Sequence, residues 1–372
     1  MQRTLSILSI STKFPQFRYS MRELIELFGN RMTDEAKDFF INFLGISTVY
    51  HSIDYNRVSI ADEKYIMPHV SLSDLYVDAA KECLNKADVD AKQVRKLIVV
   101  NDNSQTLTAA VTNELMCRLL LPSTSLDFHL QGHACSSLAR ALHIANSSSD
   151  DISLVLIGNY YSPWFFDMVK QIENVYGPNE INSIKKRRKD FNTCNYFLQF
   201  SDNATALLIS HTNDAALNIL HNSMTTRAGV APDDYKIANL GIVSDEINRI
   251  SFDMDVNTKL LKQRIKQLSK EARMETLRKA CMSEDDVKLW NLHTGGKIYV
   301  DEVREECSIS YQKCKLTYDV MKELGNTGAS SSSILMMKTI EERLLLQGEV
   351  AGILDFGWGP KADSFLYTIR TT

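Results

Sequence analysis

Three residues in this 372-residue chain have the types and placement that thioester chemistry needs: Cys135, His293 and Asn326. Cys135 follows Gly132-His133-Ala134, where a strand near 125–130 gives way to a helix rich in small residues that runs to about Ala145. A thiol at such a junction meets unpaired backbone N–H groups and the positive end of the helix dipole, and both favour thiolate. His293 ends the apolar run Val287–Leu292 and precedes Thr294-Gly295-Gly296-Lys297. A strand end followed by a turn is where ligands gather in α/β sheets. Asn326 lies in Leu324-Gly325-Asn326-Thr327-Gly328, ahead of the Ala/Ser-rich stretch 329–343. Singly, each has an ordinary structural explanation: a buried thiol, a packed histidine, a helix cap. Together they suit acyl transfer. The thiolate accepts an acyl group, while imidazole and amide N–H donate to a developing enolate or oxyanion.

The elements that must position these residues alternate between short strands and amphipathic helices, which is α/β architecture. Residues 73–90 read as a capped helix with Leu75, Val77, Ala80, Cys83 and Leu84 along one face. The runs at 96–100, 152–158, 204–210, 287–292 and 350–356 read as buried strands. Long helices are expected over about 256–281, 297–306 and 329–343, and the N-terminal residues alternate as a strand does. A shift of 191 residues lays Cys135 on Asn326, Asp102 on His293, and the helix at 74–90 on 265–281. That register predicts a duplicated α/β unit: residues 1–212 carry the nucleophile and 213–372 carry the histidine and asparagine. No Gly/Pro/Ser-rich linker separates the halves, so one continuous body is expected.

Composition excludes several classes. Hydrophobic residues are 44% and charged residues 24%, so a sizeable core is expected rather than disorder. Lys and Arg total 42 against 46 Asp and Glu, a net charge of −4, so nothing global points to nucleic acid. No apolar run approaches the roughly 18 residues of a membrane helix, and the N-terminus lacks a secretory pattern. Seven cysteines without a C-x-x-C pair argue against a disulfide framework or zinc site and for a reduced, cytoplasmic protein. Neither a phosphate-binding loop nor a dinucleotide-binding turn is present, and no metal-ligand spacing occurs.

Four segments in order carry a resemblance. Ala134-Cys135 with Leu138-Ala139-Arg140-Ala141-Leu142 resembles a nucleophile helix, and Ser201-Asp202-Asn203-Ala204-Thr205-Ala206 an Asp-Gly-Ala-Gly-Ala strand. Trp290 to Val303 resembles a histidine motif. Gly325-Asn326-Thr327-Gly328-Ala329-Ser330, with Phe356-Gly357-Trp358-Gly359-Pro360 downstream, resembles an asparagine motif with its closing loop. The chain resembles the thiolase-fold condensing enzymes over about residues 70–372. The nearest branch holds β-ketoacyl-acyl-carrier-protein synthase III and the type III, chalcone-synthase-like polyketide synthases. Departures include Asn203 for a usual glycine, His133 before the nucleophile pair, and Ser136-Ser137 after it. Pro360 has no N–H, which leaves the Cys135 amide, assisted by Gly357–Gly359, as oxyanion donor.

The resemblance implies a layered αβαβα body, a homodimer, and acyl-CoA or acyl-carrier-protein substrates with no bound cofactor. It implies Cys135, His293 and Asn326 as catalytic residues in a decarboxylative condensation with a malonyl-type thioester. His133, Gly357, Trp358 and Gly359 are then substrate contacts, and Lys262, Arg264 and Lys266 a docking face for the donor. The dense run Lys185–Lys189 could also attract a CoA phosphate or an acidic carrier. Two alternatives stay open: transfer of the acyl group to an oxygen or nitrogen nucleophile with His293 as base, and a non-catalytic scaffold subunit.

Overall fold

The computed structural model describes residues 5–58, 68–101, 111–133, 135–147, 152–181, 185–212, 215, 217–220, 222–244 and 250–370. Asp102, one of the positions matched by the 191-residue shift, lies outside the described residues.

The chain opens with β1 (Leu5–Lys13) and the antiparallel pair β2 (Phe17–Ser20) and β3 (Thr48–His51), with α1 (Met21–Glu26) and α2 (Asp34–Phe43) between them. Then come α3 (Leu72–Lys86), β4 (Val94–Val100), α4 (Val111–Arg118), β5 (Leu126–Leu130), α5 (Leu138–Ala145), β6 (Ile152–Asn159), α6 (Ser162–Lys170), α7 (Lys185–Gln199) and β7 (Asn203–His211). After β8 (Leu217–Ile219), β9 (Thr225–Ala228) and the pair β10 (Ala238–Ser244) and β11 (Ile250–Val256), the order returns as α8 (Thr258–Ala280), β12 (Val287–Leu292), α9 (Lys297–Glu306), α10 (Lys315–Leu324), α11 (Ser331–Glu341), β13 (Val350–Gly357) and β14 (Lys361–Ile369).

Among the described residues, ten strands share one sheet in the order β12-β13-β14-β8-β1-β7-β6-β4-β5, with β9 on β14. Its two arms repeat a pattern. β4 runs parallel to β6, which pairs antiparallel with β7, which pairs antiparallel with β1. Likewise β12 runs parallel to β13, then β14 and β8 follow antiparallel. The arms meet where β1 pairs β8.

Alternation along the strands assigns the faces. Leu97, Val99, Leu154 and Leu156 pack with α3 and α4 on one outside face. Ile98, Val100, Val155, Ile157, Ala351, Ile353, Phe365 and Tyr367 enclose α5 and α11 in a shared central core. Trp290, Leu292, Leu354 and Leu366 face α8 and α9 on the other outside. Five layers result, with α5 and α11 as the middle one.

Local sequence fixes the helices at the positions that matter. Ser71 and Asp74 form a capping box at the start of α3. Lys96, 2% exposed within β4, donates to the carbonyl of Ala145 at 3.3 Å, so a cation meets the C-terminus of α5. Two expectations need correction. The helix after the nucleophile begins at Leu138, three residues beyond Cys135, with Ser137 as an N-cap whose side chain makes no capping bond. The basic run 185–189, in a stretch whose sequence reads as loop-rich, is the first turn of α7.

Candidate active site

Cys135 lies in the connection between β5 and α5 and is half-buried. Four other cysteines are buried: burial pushes Cys83 and Cys314 up to about 11, Cys307 to about 12, and Cys194 well above the thiol range. Cys117 and Cys281 are exposed on α4 and at the end of α8. Gly357, the last residue of β13, backs onto the nucleophile. A Cβ there would sit 3.1 Å from the Cys135 amide nitrogen and 3.3 Å from its Cβ. The next residue, Trp358, packs edge-on against Tyr196 of α7, with ring centroids 4.9 Å apart. Burial first, then Tyr299, hold the Tyr196 phenol well above its ordinary range, and Cys135 adds to the effect. Tyr196 and Tyr299 are therefore wall residues that the sequence did not single out.

His293 follows β12, its N–H donating to the Leu354 carbonyl of β13 at 3.1 Å. The side chain is buried, edge-on to Phe356 at 5.3 Å. Burial pushes its pKa down to about 3, so the imidazole is neutral at any ordinary pH. Its Nδ1 lies 3.0 Å from the Ser331 hydroxyl at the start of α11. The Ser331 hydroxyl has this nitrogen, the Gly328 carbonyl at 2.7 Å and the Thr294 and Thr327 hydroxyls in reach, and the first two decide the tautomer. When it donates to Nδ1 the ring proton sits on Nε2; when it donates to Gly328 the proton sits on Nδ1. Gly295 leaves the Nε2 edge open, since a Cβ there would lie 3.1 Å from that atom.

Asn326 follows α10, which ends at Gly325 in the left-handed region at φ 71°, where a Cβ would also meet the Gln199 carbonyl at 2.8 Å. Backbone bonds pin the residue: its N–H donates to the Gln199 carbonyl at 2.7 Å, and its carbonyl accepts from Ser201 at 2.9 Å. Its side-chain oxygen accepts the Gly328 N–H at 2.9 Å, which leaves the Nδ2 amide as a directed donor. Neither Nε2 of His293 nor Nδ2 of Asn326 hydrogen-bonds to another described residue. A hydroxyl cluster joins the two loops: Thr294 to Ser331 at 2.8 Å, Thr327 to Ser331 at 3.1 Å, and the Thr327 N–H to Thr294 at 3.3 Å.

Thus His293 and Asn326 sit on loops tied through α11, while Phe356-Gly357 connects the histidine ring to the nucleophile. Of the expected substrate contacts, Gly357 and Trp358 line this junction, and Gly359 occupies the β13–β14 turn at φ 65°. His133 instead meets Lys361, 3.0 Å from its Nδ1.

The expected docking cations are neutralised in place. Lys262 and Lys266 pair with Glu302 at 3.3 and 3.0 Å, and Arg264 with Asp234 at 2.9 Å. A groove of about 780 Å³ lies between the start of α7 and the start of α8, lined by Lys185, Lys186, Arg188, Lys189 and Lys259.

No family model matches the chain. A β-ketoacyl-acyl-carrier-protein synthase III of Helicobacter pylori is 26% identical over 315 residues, covering 82% of this chain and 85% of that protein. Among solved structures, a synthase III (FabH) from Xanthomonas oryzae superposes with a TM-score of 0.77 at 16% identity, covering 98% of each chain. The polyketide synthase PKS-I of the brown alga Ectocarpus siliculosus gives 0.76 at 16% identity, covering 100% of this chain and 99% of that one. OleA of Xanthomonas campestris, crystallised as a variant with lauric acid and lauroyl-CoA, gives 0.75 at 16% identity, covering 99% and 100%. The chain has the thiolase fold of the condensing enzymes, and its sequence is related to synthase III.

Proposed function

We propose that this chain is an acyl-condensing enzyme, a ketosynthase-like acyltransferase. Cys135 attacks an acyl thioester, the donor's thiol leaves as its acyl C–S bond breaks, and the acyl group stays on the Cys135 sulfur. His293 through Nε2–H and Asn326 through Nδ2–H then donate to the enolate oxygen that forms as a malonyl-type thioester loses CO2. The carbanion attacks the acyl-enzyme, and a β-ketoacyl product leaves as the Cys135 sulfur departs. The observation that carries this reading is the pair of directed donors. Two buried side chains each spend one polar atom on the fold, Nδ1 of His293 and Oδ1 of Asn326, and each keeps one nitrogen without a hydrogen-bond partner among the described residues. A scaffold has no need of two donors held in place in this way.

The rival within the enzyme class turns on which tautomer the Ser331 hydroxyl holds. With the proton on Nδ1, a bare Nε2 would act as a base for an oxygen or nitrogen acceptor. Products formed from acyl-CoA with and without malonyl thioester separate the two. Condensation requires the malonyl thioester and gives a β-ketoacyl product. Simple transfer proceeds without it.

The proposal extends to partners. The groove beside α7 suits an anionic donor, either the phosphates of CoA or an acidic carrier protein. β5 ends the sheet with one edge unpaired among the described residues and Leu126 58% exposed, so a second copy of the chain can continue the sheet there. Sedimentation of wild type against Leu126→Lys tests the dimer.

A further inference from the structure

With α5 starting at Leu138, Cys135 lies outside the first helical turn, where the influence of the dipole falls away. Two cations stand in its place. Lys361, the first residue of β14, donates from Nζ to the Gly132 carbonyl at 3.1 Å and lies 3.0 Å from Nδ1 of His133. An ammonium only donates, so His133 accepts at Nδ1 and is neutral there. Arg140, in the first turn of α5, donates from Nε to the Ser136 carbonyl at 3.2 Å and from its terminal nitrogen to Asp363 at 3.1 Å. The cations thus grip carbonyls on both sides of Cys135, while Gly357, which has no Cβ, leaves just enough room for its amide. Asp363 is 1% exposed, and its second carboxylate oxygen has no hydrogen-bond partner.

We propose that Arg140 and Lys361 are positioning residues that clamp the Gly132–Ser136 loop and supply the positive potential that favours the Cys135 thiolate, with Asp363 as the counter-ion that moderates it. This rests on the reading of Cys135 as the acyl acceptor. The other titratable groups around the loop carry no charge at neutral pH. Burial lowers His133, ahead of Lys361 and Arg140, and lowers His293, while Tyr196 is raised. Behind the clamp, burial pushes Asp363 up to about 7 against the pull of Arg140 and Lys361, and raises Asp355, its cross-strand neighbour on β13.

The test is the pH dependence of Cys135 alkylation by iodoacetamide in the full chain, followed peptide by peptide because Cys117 and Cys281 are exposed. Arg140→Met and Lys361→Met should each raise the midpoint by about one unit. Arg140→Lys should stay close to wild type. Asp363→Asn, which removes the counter-charge but leaves an amide oxygen for Arg140, should lower it. A purely structural clamp would not give shifts of opposite sign. Unchanged midpoints in both Met variants, with near-UV circular dichroism intact, overturn the proposal, as does an upward shift in Asp363→Asn. If Arg140→Met fails to fold, Lys361→Met at the partly exposed position decides alone. No acyl donor is needed, so failure of the clamp and failure of the condensation reading remain distinct.

Discussion

Replacing Asn326 by Ala isolates one donor to the enolate. The substitution leaves both backbone bonds of the residue, to the Gln199 carbonyl and from the Ser201 N–H, so the loop stays pinned. What the fold loses is the side-chain acceptor for the buried Gly328 N–H, a cost of about 1–3 kcal/mol of stability. What the reaction loses is larger. Removing one donor to a developing oxyanion costs about 3–4 kcal/mol, or about 10²–10³ in rate. Acylation of Cys135 precedes the enolate and should continue. The assay is CO2 release from malonyl thioester added to preformed acyl-enzyme, with acyl occupancy checked by intact mass. His293→Ala should behave in the same way. CO2 release within about threefold of wild type in Asn326→Ala would refute the donor assignment.

Further outcomes follow from the same geometry. Decarboxylation by wild-type acyl-enzyme should show no ionisation near pH 6.5, because burial holds His293 neutral down to about 3; a limb at 6.5 would mean that the ring is solvated. By the same linkage, His293 destabilises the fold as pH falls below about 6.5, since the unfolded chain takes up a proton that the folded chain refuses. Gly357→Ala must move the Cys135 backbone by a few tenths of an ångström. Single-turnover acylation should slow by roughly tenfold with little change in Tm, given that a misplacement of about 1 Å costs about 10²-fold. Reversing Lys186 and Arg188 to Glu should lower kcat/KM with CoA or carrier-protein donors, more at low salt, and spare a small uncharged thioester; equal losses would make the groove structural.

The order of strands and helices was legible because buried strands are continuous apolar runs and helices carry a one-sided stripe. Val287–Leu292 and Lys297–Glu306 fall where the pattern put them. The N-terminal pair β2–β3 with α1 and α2 escaped, since those elements are short and are held by tertiary packing of Phe28 and Phe40 against Phe197 and Phe191. Sequence could bring Cys135, His293 and Asn326 to strand and helix ends, but not reveal Ser331, Tyr196 or Lys361, whose roles arise from contacts across 38 to more than 200 residues. Arg140, a lone charge within Leu138–Ala145, was the one available hint. The ion pairs around Lys262 were hidden for a related reason. A helix shows its own charges in sequence, but not the Glu302 and Glu306 that α9 sets against them.

Condensation by this chain depends first on the bond between an acyl group and Cys135. Intact-mass spectra of wild type incubated with acyl-CoA should show one acyl adduct, mapped to the peptide carrying Cys135. Cys135→Ala should show none while remaining folded. An adduct of unchanged stoichiometry in Cys135→Ala, or no adduct in wild type across acyl chain lengths, would contradict it.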